Sequence, residues 1–245
     1  MSPDVKAQLA PHGMLRAGIN MSNFLLVTGR SESGDPEGVS PSMARAIADQ
    51  LGVPVSFVPF TKPGELADRA GQDVWDIGLI GAEPARAEKI AFTAAYAEIE
   101  ATYMVPPRSP LKTIADVDRP GVRIAVTARS AYDLWLERNI AHATLVRSDS
   151  LDSAYQQFVA EGLDALAGLR PRLLTDVGKM PGAVILPGQF TAVQQAVGTA
   201  KANLAASEWL WAFVEDAKTS GTVAEFIERH GVTGLSVAPP GIPAR

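Results

Sequence analysis

The chain has 245 residues, 47% of them hydrophobic and 20% charged, a globular composition that excludes disordered and fibrous classes. A net charge of -5 and a pI near 5.3 argue against a nucleic-acid binder, which usually carries a basic face. The absence of cysteine excludes disulfides and thiolate-bound metals. His12, His142 and His230 are far apart and lack ligand spacing, so no metal or other cofactor is expected.

The first 13 residues have no basic n-region, no apolar core and no small-residue cleavage site. No run approaches the roughly 18 apolar residues of a membrane span. As written, the sequence leads to the expectation of a cytoplasmic, monomeric chain. A chain trimmed to its exported, periplasmic form would read the same way.

From there, strand-like and helix-like segments alternate. Residues 15–19 read as a strand. Residues 40–51 read as a helix, with Ser40 as cap, Pro41 in the first turn, and Ala44, Ile47, Ala48 and Leu51 on one face; Gly52 stops it. A strand at 53–57, a polar helix at 64–70 and a buried strand at 77–80 follow. After Val105-Pro-Pro-Arg-Ser-Pro110, which breaks both periodicities, strands at 122–126, 143–146, 165–167 and 183–186 alternate with helices at 130–138, 151–161 and 172–177. A strand at 193–198 and helices at 204–218 and 222–230 close the chain. The proline- and glycine-rich tail from Ala238 is expected to fray.

This alternation implies an α/β fold with mostly parallel sheets covered by helices. The last two helices have no strands of their own, so they are expected to return to the first unit. Lobe one is then 14–105 plus 194–238 and lobe two 106–193, with 1–13 and 239–245 as terminal extensions. Two strands, near 101–105 and 194–198, would cross between the lobes. Trp75, Trp135, Trp209 and Trp211 sit in helix or strand patterns and are expected to pack inside the lobes.

Several stretches resemble, in order, the family 3 extracellular solute-binding proteins, the substrate-binding components of amino-acid ABC transporters. They are Leu15-Arg-Ala-Gly-Ile-Asn, the helix from Gly38 to Gly52, Trp75-Asp-Ile-Gly-Leu-Ile-Gly81 with Pro84-Ala-Arg86, Ile90-Ala-Phe-Thr-Ala-Ala-Tyr96, Ser109-Pro-Leu-Lys-Thr-Ile-Ala-Asp-Val117, and Gly121-Val-Arg-Ile-Ala-Val126. The resemblance implies a two-lobed type II periplasmic-binding-protein fold. It also implies capture of a small carboxylate-bearing ligand, an amino acid or related organic acid, in an interlobe cleft. Hinge closure and delivery to an ABC permease would follow.

In that family the arginine at the position of Arg86 holds the ligand carboxylate, for which a guanidinium offers a matching fork of donors. The strand-to-helix turn Ala128-Arg-Ser-Ala-Tyr-Asp133 is the second expected anion site. Here Ser130 reads as an N-cap, Asp133 as its capping-box partner, and Ala131 as the start of a helix whose amides favour a negative group. Arg129 replaces a neutral residue and points either to the ligand or to solvent, and Tyr132 is the aromatic expected to reach the cleft. Glu83 either faces the ligand or caps the helix that Pro84 begins.

Elsewhere the chain departs from the family. Leu169 and Arg170 stand where an aspartate often binds the ligand's amine, while Lys62 and Asn23 stand near positions that carry aromatics. Gln194 and Gln195 are placed at the second crossing. These departures favour an anionic ligand over an α-amino acid held in the family's usual way. The alternatives are a dehydratase-like enzyme on the same fold, with Glu83 as its acid or base, and an intracellular ligand sensor.

Overall fold

A computed structural model describes residues 2–241. The elements run α1 (Pro3–Leu9), β1 (Leu15–Asn20), β2 (Gly29–Arg30), β3 (Pro36–Glu37), α2 (Val39–Leu51), β4 (Val55–Phe60), α3 (Pro63–Asp68), β5 (Ile77–Gly81), α4 (Pro84–Ala87) and β6 (Ile90–Val105). Next come β7 (Arg123–Thr127), α5 (Ala131–Asn139), β8 (Thr144–Ser148), α6 (Leu151–Ala160), β9 (Ala165–Leu169), α7 (Arg170–Val177) and β10 (Val184–Ile185). The chain finishes with β11 (Thr191–Ala200), α8 (Leu204–Thr219), α9 (Thr222–Arg229) and β12 (Ser236–Val237). Two compact units result: residues up to Glu98 together with those from Gln194 onward, and Ile99–Val193. The division falls inside β6, before the proline cluster that follows its end.

In the first unit β1 lies between β4 and β5, parallel to both, and β11 joins β5 antiparallel. Trp75 and Leu66 pack with Ile80 and Ile90 in its core, and the indole Nε1 donates to the Leu66 carbonyl at 3.1 Å. Glycines make that approach possible, because a Cβ on Gly78 would stand 2.8 Å from Leu66 Cδ2. Arg16 clamps the lower end of this sheet. Its guanidinium donates to both carboxylate oxygens of the buried Asp76, which also accepts the Arg16 amide at 2.7 Å. Together these bonds meet a buried carboxylate's need for partners.

In the second unit β7 lies between β8 and β9, parallel to both, and the later part of β6 joins β9 antiparallel. Met104, Ala125, Phe158, Leu163, Leu166 and Leu173 form its core. The sheets are mostly parallel and helix-covered, as the alternation of elements implied.

Three local expectations are corrected. Ser40 does not cap α2; Gly38 does, at φ 141, where any Cβ would meet the Leu26 carbonyl at 2.3 Å. The Ser40 hydroxyl instead pairs with the buried Tyr96 hydroxyl at 2.8 Å. The strand expected from 53 begins at Val55, because the Val53 amide is still bonded to the Ala48 carbonyl at the end of α2. The tail is pinned through Gly241. β12 pairs with β6, the Ala238 amide donates to the Tyr96 carbonyl, and Lys218 Nζ donates to the Pro239 carbonyl at 2.8 Å. The Gly241 amide reaches Glu215 at 3.1 Å. Residues 242–245 of that expected frayed tail lie outside the described residues.

The N-terminal stretch, read from sequence only for targeting signals, contains a helix. α1 buries Val5 and Leu9, and Gln8 Oε1 accepts the Ala206 amide in the first turn of α8. A neighbouring helix thus satisfies a donor that Asn203, at the N-cap of α8, leaves without a side-chain cap.

Candidate functional site

Ligands of parallel α/β sheets gather outside the carboxyl ends of the strands, where the chain leaves each strand for a loop or helix. In the first unit those exits carry four of the residues singled out from sequence. Asn23 lies in the loop after β1. It is buried, and its side chain and carbonyl accept the amides of Leu25, Leu26 and Val27, so it shapes the loop itself. Lys62 follows β4 and is exposed at the start of α3, where the Glu65 carboxylate accepts its amide. Glu83 and Arg86 follow β5.

The β5 exit is the most constrained of the three. The Ala82 amide donates to the Gln194 carbonyl at 2.7 Å, tying the end of β5 to the incoming β11. Glu83 then takes an extended conformation, and its carbonyl accepts the amides of Arg86 and Ala87 at 2.9 Å, which closes the single turn of α4. Proline at the first helical position suits this turn. Glu83 is buried, and its side chain makes no capping bond to α4. Arg86 is only 6% exposed. Its Nη1 donates to the Gly81 carbonyl at 2.7 Å, which holds the guanidinium plane at the carboxyl end of β5. The side chain of Gln194 donates to Glu98 at 3.0 Å, and the backbone of Gln195 pairs opposite Gly81.

In the second unit the β7 exit carries the turn 128–133. Ser130 caps α5 as its sequence suggests, and its hydroxyl accepts the Asp133 amide at 3.1 Å. The reciprocal bond differs from the expected capping box. Asp133 Oδ2 accepts the amide of Arg129 at 2.7 Å, and the Ser130 amide instead donates to the Thr127 carbonyl. The reason is backbone geometry: Arg129 adopts φ 58, a left-handed conformation uncommon for a side-chain-bearing residue, which turns its amide onto the carboxylate. Asp133 is 2% exposed, and its Oδ1 accepts Arg147 Nε at 2.9 Å. Arg147 reaches the turn because parallel pairing sets it opposite Val126. No local pattern announces this partner, and reading the sequence missed it.

Arg129 itself is exposed, while Ala131 is buried in the first turn of α5. Tyr132 is buried too, among Thr127, Leu166, Gly168 and Arg172 inside the second unit, and burial pushes its phenol pKa up. At the β9 exit, Leu169 is buried at the start of α7, and Arg170 donates to Glu100 and to the Gly188 carbonyl. The structure therefore gathers Asn23, Lys62, Glu83 and Arg86 at one end of the first sheet. It gathers Arg129, Ser130, Ala131 and Arg170 at the corresponding end of the second.

Trp75 is buried in the first unit's core, whereas Trp135, Trp209 and Trp211 are half-buried. Among the described residues no group of three or more His, Cys, Asp or Glu is arranged to hold a metal, and no helix is long and apolar enough to cross a membrane.

The sequence profile of the bacterial extracellular solute-binding proteins, family 3, matches residues 15–233. No match was found among curated proteins. Solved structures with the same fold include an ancestral amino-acid-binding protein described as a precursor of cyclohexadienyl dehydratase. It is 21% identical, with a TM-score of 0.72, over 91% of this chain and 96% of that one. A binding component of an ABC transporter from Wolinella succinogenes, complexed with lysine, is 20% identical, with a TM-score of 0.73, over 89% and 95%. An amino acid ABC transporter substrate-binding protein from Streptococcus pneumoniae, bound to L-arginine, is 19% identical, with a TM-score of 0.72, over 97% and 100%. At these identities the likeness is one of fold.

Proposed function

This chain belongs to the bacterial extracellular solute-binding proteins of family 3, and from that premise we propose that it captures a small carboxylate-bearing molecule and releases it unchanged. The observation that carries the reading is Arg86. A guanidinium that is 6% exposed, held by the Gly81 carbonyl at the carboxyl end of a parallel strand, is a preformed fork for a carboxylate. In the second unit, the Ser130 hydroxyl and the first amides of α5 at the β7 exit also favour an anionic or strongly polar group.

The ligand we propose is an organic acid and not an α-amino acid bound through its amine. The β9 exit offers the apolar Leu169 and the cation Arg170 where an amine would need a carboxylate, and the β4 exit offers Lys62. Delivery to a membrane permease of the ABC class is part of the same proposal.

A thermal-shift panel of the twenty amino acids, dicarboxylates, aromatic acids and hydroxy acids tests it. Stabilisation by acids and recovery of the compound intact after incubation are the expected results. Strongest stabilisation by ordinary amino acids would overturn the ligand class. Conversion of the compound would overturn the binding role and make Glu83 the first acid or base to replace.

A further inference from the structure

Glutamine is seldom buried, yet Gln195 is only 3% exposed. Other buried polar side chains of the first unit are spent on protein partners. Asp76 accepts from Arg16, Ser40 pairs with Tyr96, and the Thr199 hydroxyl donates to the Asp76 carbonyl at 2.9 Å. The neighbouring Gln194 donates to Glu98, whereas the Gln195 side chain makes no hydrogen bond to any of the described residues. Its amide is not sealed off but keeps a narrow opening to solvent. Folded interiors satisfy nearly all such groups, so a buried amide left over in this way calls for a partner.

The place of Gln195 says what that partner is. β11 runs antiparallel to β5, so its early residues stand at the carboxyl end of β5, the end that leads to Arg86. The Ala82 amide donates to the Gln194 carbonyl, which makes those two a hydrogen-bonded pair. Gln195 therefore faces Gly81 in the adjacent narrow pair, where Cα atoms lie about 4.5 Å apart. Gly81 has no side chain to cover that face, and its carbonyl is the one that holds Arg86 Nη1. A carboxylate uses the guanidinium. The neutral amide beside it offers both a donor and an acceptor, and a hydroxyl is the substituent that uses both, since an ammonium only donates and a carboxylate only accepts.

We infer that Gln195 is a specificity-determining residue, whose side-chain amide binds a hydroxyl carried close to the ligand's carboxylate, so that the preferred ligand is a hydroxy acid. The inference rests on the carboxylate-binding reading of Arg86 and narrows it. It involves residues of the first unit alone.

Calorimetry on the full chain with matched acids tests it: lactate against propionate, malate against succinate, 3-hydroxybutyrate against butyrate, and phenyllactate against phenylpropionate. In at least one pair the hydroxy acid should bind roughly tenfold more tightly than its deoxy partner, the order of one well-made hydrogen bond. Gln195→Leu should erase that preference while leaving the affinity for the deoxy acid in place. Gln195→Glu, which keeps the shape and loses the donors, should erase it too and serves if the leucine variant does not fold. In the parent protein, the side-chain amide signals of Gln195 in a nitrogen-15 spectrum, identified by their absence in either variant, should shift with the hydroxy acid and stay in place with its deoxy partner. Equal affinities within every pair that binds, or a preference that survives both substitutions, overturns the inference and leaves the role of Arg86 standing. Failure of every acid to bind overturns it together with the carboxylate reading.

Discussion

Replacing Asp133 by alanine should destabilise the second unit by about 2–4 kcal/mol. The carboxylate is 2% exposed and accepts two hydrogen bonds of good length, 2.7 Å from the Arg129 amide and 2.9 Å from Arg147 Nε. The bond to the amide is charge-assisted and part-buried, worth about 1.5–3 kcal/mol, and its loss also leaves the left-handed Arg129 without support. The Arg147 bond contributes less, about 0.5–1 kcal/mol, because that side chain is 38% exposed and keeps Glu137 as a partner at 3.1 Å. The Ser130 cap survives, since alanine retains the backbone amide that donates to it. Asp133→Asn should recover less than half of the loss. Its amide nitrogen must face either the Arg129 N–H or the Arg147 N–H, and both are donors. Urea unfolding followed by circular dichroism and tryptophan fluorescence measures the effect, with Trp135 reporting from the same helix. A change below about 1 kcal/mol in Asp133→Ala, or an Asp133→Asn protein as stable as the parent, would refute the reasoning, because neither bond could then be stabilising the turn.

Arg86→Ala should weaken ligand binding by roughly 2–5 kcal/mol with the circular dichroism spectrum unchanged, and Arg86→Lys should recover only part of it; calorimetry with the acid found in the thermal panel checks both. Hydrogen exchange with that acid should slow at residues 81–86, and unchanged exchange there would remove the β5 exit from the site. Gly78→Ala should cost about 1–3 kcal/mol, since its Cβ would lie 2.8 Å from Leu66 Cδ2, and Leu66→Ala in the same chain should give back part of that loss. His230 is held below its ordinary pKa of 6.5, first by burial and then by Arg229, against a smaller opposing pull from Glu37. Its contribution to stability is complete above pH 6.5 and is lost as the pH falls through the lower folded-state value, because the unfolded chain takes up the proton first. His230→Gln should flatten that part of a melting-temperature profile.

Much of this protein was legible in the order of its residues. Helices and parallel strands announce themselves through local periodicity and caps, so Ser130 could be read as the cap of α5 and Gly52 as the stop of α2 from their neighbours alone. The ordered set of short stretches from Leu15 to Val126 was enough to point to the family whose profile spans residues 15–233. What only the tertiary structure decided are the contacts made across long separations. Arg147 reaches Asp133 because β8 pairs with β7, Ser40 spends its hydroxyl on Tyr96 rather than on its own helix, and Gln8 serves a helix that starts almost two hundred residues later. A hydroxyl or carboxylate takes whichever partner the folded chain brings within about 3 Å, and sequence spacing sets that distance only within a turn or two. The tail shows the same limit. Proline and glycine marked it as loose, yet pairing with β6 and the bonds to Lys218 and Glu215 hold it in place through Gly241.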